Sequence, residues 1–319
     1  MKNELTRLNN YKAKKTLTAV ITNLFRYIFL IAYSYVLIYP IVFLMIRSIE
    51  LGVDVYDPTV QWIPKHLTRI HYQFAFRVLD YGKSFLSTVL NMLIAGLIEV
   101  FTCLIAAYGL ARYNFKGKKL IVGLVILMIL IPSNMTIIPN YMNMKNVDLF
   151  GILGLFNKLT GIDLRIRILD TPFAFWIPSL LGVGLRGGLF IYIYMQFFKG
   201  LPRELEEAAW IDGAGLYRTL FSIIFPTASV SIVTVSLLSM VWHWNEYYLP
   251  QLYLADDYPL SVVLSNFMNR AMVFGGEPGF EVRLIQAASC VLVIIPILIF
   301  YLIMQRKFIS SIALTGIVG

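Results

Sequence analysis

Six apolar runs, each close to the roughly 20 residues a helix needs to cross a bilayer, set the terms for this chain. They fall at about 27–47, 85–111, 120–140, 174–197, 227–247 and 284–304. The polar material is confined to short stretches between them. With 58% hydrophobic and 14% charged residues, the composition excludes an ordinary soluble globule. The expected fold class is an all-α polytopic membrane protein with six transmembrane helices. The organisation that follows is a polar tail at 1–18, a transmembrane domain at 19–304 and a second tail at 305–319.

Basic residues orient the runs. Lys12, Lys14, Lys15 and Arg26 precede the first run; Arg112, Lys116, Lys118 and Lys119 follow the second; Lys199, Arg203 and Arg218 follow the fourth; Arg306 and Lys307 follow the sixth. The alternate loops carry mixed signs, as with Asp54, Asp57 and Asp80 against Lys65, Arg69 and Lys83. This bias puts both termini and the 199–226 loop in the cytoplasm. The tail at 1–18 is too long and polar for an ordinary cleaved signal peptide. The net charge of +9 is spread over these loops, which argues against nucleic acid as a partner.

The most informative polar stretch is Glu206–Pro226. Pro202 suits the first turn of a helix, and Glu204, Glu206 and Glu207 favour the positive end of its dipole. Ala208 and Ala209 sustain the helix and keep its surface low enough for close approach by another protein. Gly213 or Gly215 can end it with a positive φ, Asp212 can cap a following helix, and Pro226 is expected to restart a helix at the next membrane run.

Glu207-Ala208-Ala209, then Asp212-Gly213-Ala214, then Pro226 resemble the "EAA" loop of binding-protein-dependent ABC importer permeases. Leu220, Phe225 and Val230 depart from residues frequent in that family but keep apolar bulk. In the carbohydrate (maltose-type) subgroup a similar pattern recurs in Ala106–Arg112 with Phe115–Lys118, in Trp244-Asn245-Glu246 followed by Pro259-Leu260-Ser261, and in the ending from Gln305 to Gly319. The resemblance implies a type I importer permease, with Glu207, Ala208, Ala209, Asp212, Gly213, Gly215 and Pro226 forming a coupling helix on a separate ATPase. It further implies a second homologous permease subunit, two ATP-binding subunits, an extracellular solute-binding protein, a carbohydrate cargo and a prokaryotic cytoplasmic (inner) membrane. No G-x-x-x-x-G-K-[ST] phosphate loop occurs here, so the chain itself holds no cofactor and ATP with magnesium belongs to the partner.

Two ionisable residues fall at membrane depth, where they are costly and mark function. Glu99 lies mid-way along the second run and Arg186 mid-way along the fourth, among Gly184, Gly187 and Gly188. They are expected to pair with each other or to face a polar pathway; a proton relay would need a chain of acids or histidines that the sequence lacks. Trp244, Asn245 and Glu246 have two readings: an aromatic belt at the outer interface, or a sugar-contacting part of the pathway. Ile131-Pro132 and Pro139 predict bends. The 151–172 loop, with Lys158, Asp163, Arg165, Arg167 and Asp170, is either a docking surface for a binding protein or a solvated insert.

Other functions have little support. His66, His71 and His243 lack partners at metal spacing, and His66 and His71 are expected in loops. Cys103 and Cys290 sit within apolar runs. There is no nucleophile–base pair and no H-E-x-x-H. An ion-gradient-driven secondary transporter of a polar solute is the alternative function, although no internal repeat supports one.

Overall fold

A computed structural model describes residues 2–60, 62–148, 158–160, 166–273 and 280–315. The described residues are helical, with two isolated β-bridges (Glu50 with Leu67, Val147 with Ile166) and no strands. In chain order the helices are α1 (Lys2–Ile49), α2 (Gly52–Val55), α3 (Ile70–Val78), α4 (Tyr81–Arg112), α5 (Lys118–Leu130), α6 (Ser133–Lys145), α7 (Phe173–Leu180), α8 (Gly187–Gly200), α9 (Glu204–Ile211), α10 (Leu216–Thr227), α11 (Ser229–Asn245), α12 (Tyr248–Tyr253), α13 (Leu260–Ser265), α14 (Phe267–Val273) and α15 (Phe280–Thr315). The basic segment expected as an N-terminal tail is helical and continuous with the first apolar run.

Three of the apolar runs are straight candidates for crossing a bilayer: Leu17–Ile49, Tyr81–Arg112 and Glu281–Gln305. The third run is instead a bent pair, α5 and the Met135–Lys145 part of α6 meeting at 110°. Pro132 lacks the amide that would continue the helix, and its ring pushes Ile131 to extended geometry. The fourth run, expected as one helix, is broken into α7 and α8, and Gly182 in the gap takes a φ of +70°. The fifth is α11, which leaves α10 at 75°.

The chain forms two compact units, residues 1–74 with 278–291 and residues 75–277 with 292–319. In the first, the end of α1 is tied to the chain that follows it. Ser48 Oγ donates to Met45 O and lies 2.8 Å from Tyr72 Oη. Arg47 pairs with Glu50 at 2.6 Å. Asp54 accepts from the His66 amide and lies 2.7 Å from its Nδ1. Burial pushes the Asp54 carboxyl up, and the contacts from His66 more than offset this to hold it low. Lys65, with Thr59, holds the Asp57 carboxyl well below the usual carboxylate range. His66 is in a loop as expected; His71 is not, but lies buried in α3 with Nε2 2.9 Å from Glu50 O.

The second unit is built on α4. Cys103, Ala107, Phe190, Tyr194, Phe198, Ile224 and Val235 form its largest core, joining α4 to α8, α10 and α11. Small residues let the backbones close. A methyl on Gly188 would come within 2.9 Å of Met128 Cβ, and one on Gly96 within 3.1 Å of Ser239 Oγ and His243 Nδ1. Close approach of this kind replaces the hydrophobic drive that helices lack in lipid. A second cluster gathers Met92, Phe175 and Tyr253; a third gathers Leu79, Trp244, Leu260 and Val293.

Candidate coupling helix and intramembrane polar site

The 199–226 loop leaves α8 at Gly200 and passes through extended Leu201. Pro202 lies before α9 rather than in its first turn, since Arg203 is the N-cap. Glu204, Glu206 and Glu207 do occupy the first turn, where the dipole favours them. At the far end, Ala214 N–H bonds Ala209 O at 2.9 Å and Gly213 N–H bonds Trp210 O at 3.0 Å. That pair of bonds, with Gly213 at φ +77°, is a Schellman ending. Asp212 is therefore the C-cap of α9. It does not cap the next helix, whose N-cap is Gly215.

Helical spacing divides α9 into two faces. Glu206 and Ala209, three apart, are buried, Ala209 at 3% exposure. Glu207, Ala208, Ile211, Asp212 and Gly213 face out, with Ile211 at 86% and Trp210 at 50% exposure. Leu216 and Tyr217 of α10 extend the exposed apolar surface. Gly215 and Pro226 are also exposed. Pro226 does not restart a helix: it lies inside the end of α10, just after a π turn at Leu220–Ile224 and before the bend at Ala228.

The buried face of α9 has an anchor that sequence reasoning missed. Arg112, the last residue of α4, lies with Nε 3.1 Å from Glu206 Oε1, and both side chains are buried. Its Nη2 donates to Leu201 O at 3.0 Å. One guanidinium thus holds both the start of the loop and the first turn of α9 on the end of α4. Below it, the Tyr108 ring meets Tyr113 and Phe198 edge-on at 5.8 and 5.5 Å. The sequence signal for it is an arginine that ends an apolar run and surplus acids at 204–207, neither of which names its partner.

About 20 Å up α4 from Arg112, at 1.5 Å per residue, lies Glu99, with no exposure at all. The expected Glu99–Arg186 ion pair does not form. Glu99 Oε2 lies 3.3 Å from His243 Nε2 on α11, and the Arg186 backbone amide, not its guanidinium, faces the carboxylate. Neither carboxylate oxygen has a well-formed hydrogen bond. The broken stretch between α7 and α8 wraps this carboxylate closely: a methyl on Gly184 would be 2.6 Å from Oε1, and one on Gly187 2.2 Å from Gly182 O. The physical reason for the correction is the chain break, which aims backbone at Glu99 and turns the Arg186 side chain away. That guanidinium lies 5.3 Å from the Trp242 ring centroid. His243, which lacks partners at metal spacing in the sequence, has Nδ1 2.9 Å from the carbonyl of Ser239 four residues before it, and no local spacing points it to Glu99.

The residues after α11 separate. Trp244 is 3% exposed and donates from Nε1 to Val293 O at 3.1 Å, so its faces are packed in the core and closed to a sugar. Asn245 is exposed and donates to Val241 O of its own helix. Glu246 Oε1 accepts from the amides of Tyr248 and Leu249, both at 3.0 Å, starting α12. In the 151–172 loop, Arg167 pairs with Asp170, and Asp170 Oδ1 accepts from the Ala255 amide. Asp163, Arg165 and the last four residues lie outside the described residues.

Residues 99–313 match the family described as binding-protein-dependent transport system inner membrane component. Among curated proteins, the chain is 30% identical over 258 residues to the putative ABC transporter permease protein ORF1 of Streptomyces antibioticus, covering 80% of this chain and 99% of that one. It is 25% identical over 291 residues to the diacetylchitobiose uptake system permease protein NgcG of Streptomyces coelicolor, covering 89% and 85%. It is 28% identical over 263 residues to the trehalose transport system permease protein SugB of Mycobacterium tuberculosis, covering 81% and 84%. A chain in the crystal structure of a bacterial ABC transporter that imports the acidic polysaccharide alginate has the same fold, with a TM-score of 0.68 at 23% identity over 90% of this chain and 96% of that chain.

Proposed function

The chain belongs to the family of binding-protein-dependent transport system inner membrane components, the non-enzymatic permeases of ATP-driven importers, and from that membership we propose that its cargo is a carbohydrate, most simply an oligosaccharide. Relatives named for diacetylchitobiose and trehalose uptake support that cargo class. The proposed assembly pairs this chain with a second, homologous permease and two ATP-binding subunits that carry ATP and magnesium. An extracellular binding protein delivers the solute, and both termini of this chain lie in the cytoplasm.

The observation that carries the coupling role is the two-faced α9. Its inner face is pinned to α4 by Arg112 and Glu206, while its outer face offers Glu207, Ala208 and Ile211. An exposed apolar patch with an acidic rim fits a soluble partner. Because Arg112 ends the same helix that carries Glu99, force on α9 passes along α4 into the membrane interior. Nucleotide-driven closure of the ATPases would then bias the pore between outward and inward access.

The test is purification of the tagged chain from its native membrane, with and without Glu207→Arg. That substitution lies on the exposed face, so folding is preserved. The expected result is recovery of an ATPase and a second permease with the unmodified chain, and loss of the ATPase alone with the variant. Uptake driven by an ion gradient without any ATPase would overturn the reading.

A further inference from the structure

Arg186 is exposed at the break between α7 and α8, and it makes no ion pair with any carboxylate among the described residues. Its depth follows from α8. The 14 residues of Gly187–Gly200 span about 21 Å from the cytoplasmic loop, well inside a hydrocarbon core of about 30 Å. A guanidinium at that depth does not face lipid tails; it faces a partner charge or water-filled space. The carboxylate that could have neutralised it, Glu99, is turned to His243 instead.

The side chain is also held in place. The Trp242 ring lies beneath the guanidinium at 5.3 Å and is itself stacked on buried Phe190 at 5.6 Å. The backbone on either side is fixed by the close packing of Gly184 and Gly187 around Glu99. The Trp242 ring lies on one side of the guanidinium, whose N–H groups make no ion pair among the described residues, the arrangement suited to two parallel hydrogen bonds with a planar carboxylate.

We propose that Arg186, stacked on Trp242, is a station on the solute pathway that takes the carboxylate of an acidic saccharide. The station rests on the importer reading above and narrows its cargo to sugars carrying a uronate-type group. A neutral sugar passing this point would leave the cation without a counter-ion; an acidic one supplies it. Leu181 and Val183, exposed at 69% and 53%, precede the arginine within the same break and offer apolar surface to the ring of the sugar.

The probes are D-galacturonate and D-galactose, which differ only at C6, as carboxylate or hydroxymethyl. Their binding to the purified complex in detergent is measured by saturation-transfer NMR titration. The unmodified complex should favour galacturonate by about ten- to a hundredfold, the discrimination expected of charge-assisted hydrogen bonds. Arg186→Gln should bring the ratio close to one, Arg186→Lys should keep part of it, and Trp242→Phe should reduce it. Each variant is first checked for an unchanged melting temperature, and the lysine variant decides if the glutamine variant does not fold. A ratio near one in the unmodified complex, absence of galacturonate binding, or a preference that survives Arg186→Gln overturns the proposal. If the preference depends on Arg186 but no ATPase co-purifies, the importer reading fails and the station stands. If the ATPase is present and the preference absent, the station alone fails.

Discussion

Replacing Arg112 by leucine should release α9 from the end of α4 while leaving the rest of the core intact. The Arg112–Glu206 separation of 3.1 Å between two buried side chains corresponds to about 5 kcal/mol of attraction at an effective dielectric of ~20. Most of this is offset by the cost of taking both charges out of water. Removing one partner is different, because the other charge stays buried and alone, at a cost of about 3–5 kcal/mol. The Leu201 carbonyl also loses its donor. Hydrogen exchange of the α9 amides, read in the purified complex, measures the effect. Protection of the Gly213 and Ala214 amides should fall at least tenfold in Arg112→Leu, and similarly in Glu206→Leu. The double variant should cost less than the sum of the two singles, because two apolar groups in contact leave no orphaned charge. Simple additivity, or single variants within twofold of the parent, would refute the anchor.

Gly187→Ala should prevent a native fold, because its methyl would sit 2.2 Å from the Gly182 carbonyl oxygen; yield and monodispersity in detergent report this, with the open position Gly123→Ala as the control. Trp244→Phe should lower the thermal midpoint by the equivalent of about 1 kcal/mol for the lost indole hydrogen bond to Val293 O, without altering solute preference in the same titration. The depressed Asp57 carboxyl gives the loop between α2 and α3 a pH dependence. Its contribution is fully present above the ordinary carboxylate value of about 3.9 and is lost as pH falls from there through the lower folded value. Protection near Thr59 and Val60, taken as the exchange rate relative to that of the unfolded chain at the same pH, should therefore hold steady at pH 6 and 5 and fall at pH 3, and Asp57→Asn should remove the step.

What the sequence made legible was local. First-turn acids and paired alanines announced α9, and the glycines at 213 and 215 both offered its end, of which the fold uses Gly213, because these signals depend on residues within one turn of each other. Arg112 and Glu206, 94 positions apart by their numbers, carry no such local sign. Asp212 shows the limit in miniature: its residue type suits a helix start, yet the Schellman bonds use it as a helix end, and only the path of the chain chooses. Trp244 shows it again, since an aromatic near the end of an apolar run fits an interface belt, a sugar platform or a core contact equally well until Val293 is placed against it.

The sequence by itself determined that this is a helical membrane protein with a polar, acidic, glycine-ended segment between its fourth and fifth apolar runs, because hydropathy and turn chemistry act over one run or one turn. Tertiary structure decided where the runs break and which charges meet. Glycines at 182, 184 and 187 permit a break in the fourth run, and the Glu99 carboxylate lies against the backbone of that break. That same break turns Arg186 from Glu99 toward Trp242. Pairing at membrane depth is set by which backbones can approach most closely, and that is a property of packed helices rather than of any one segment.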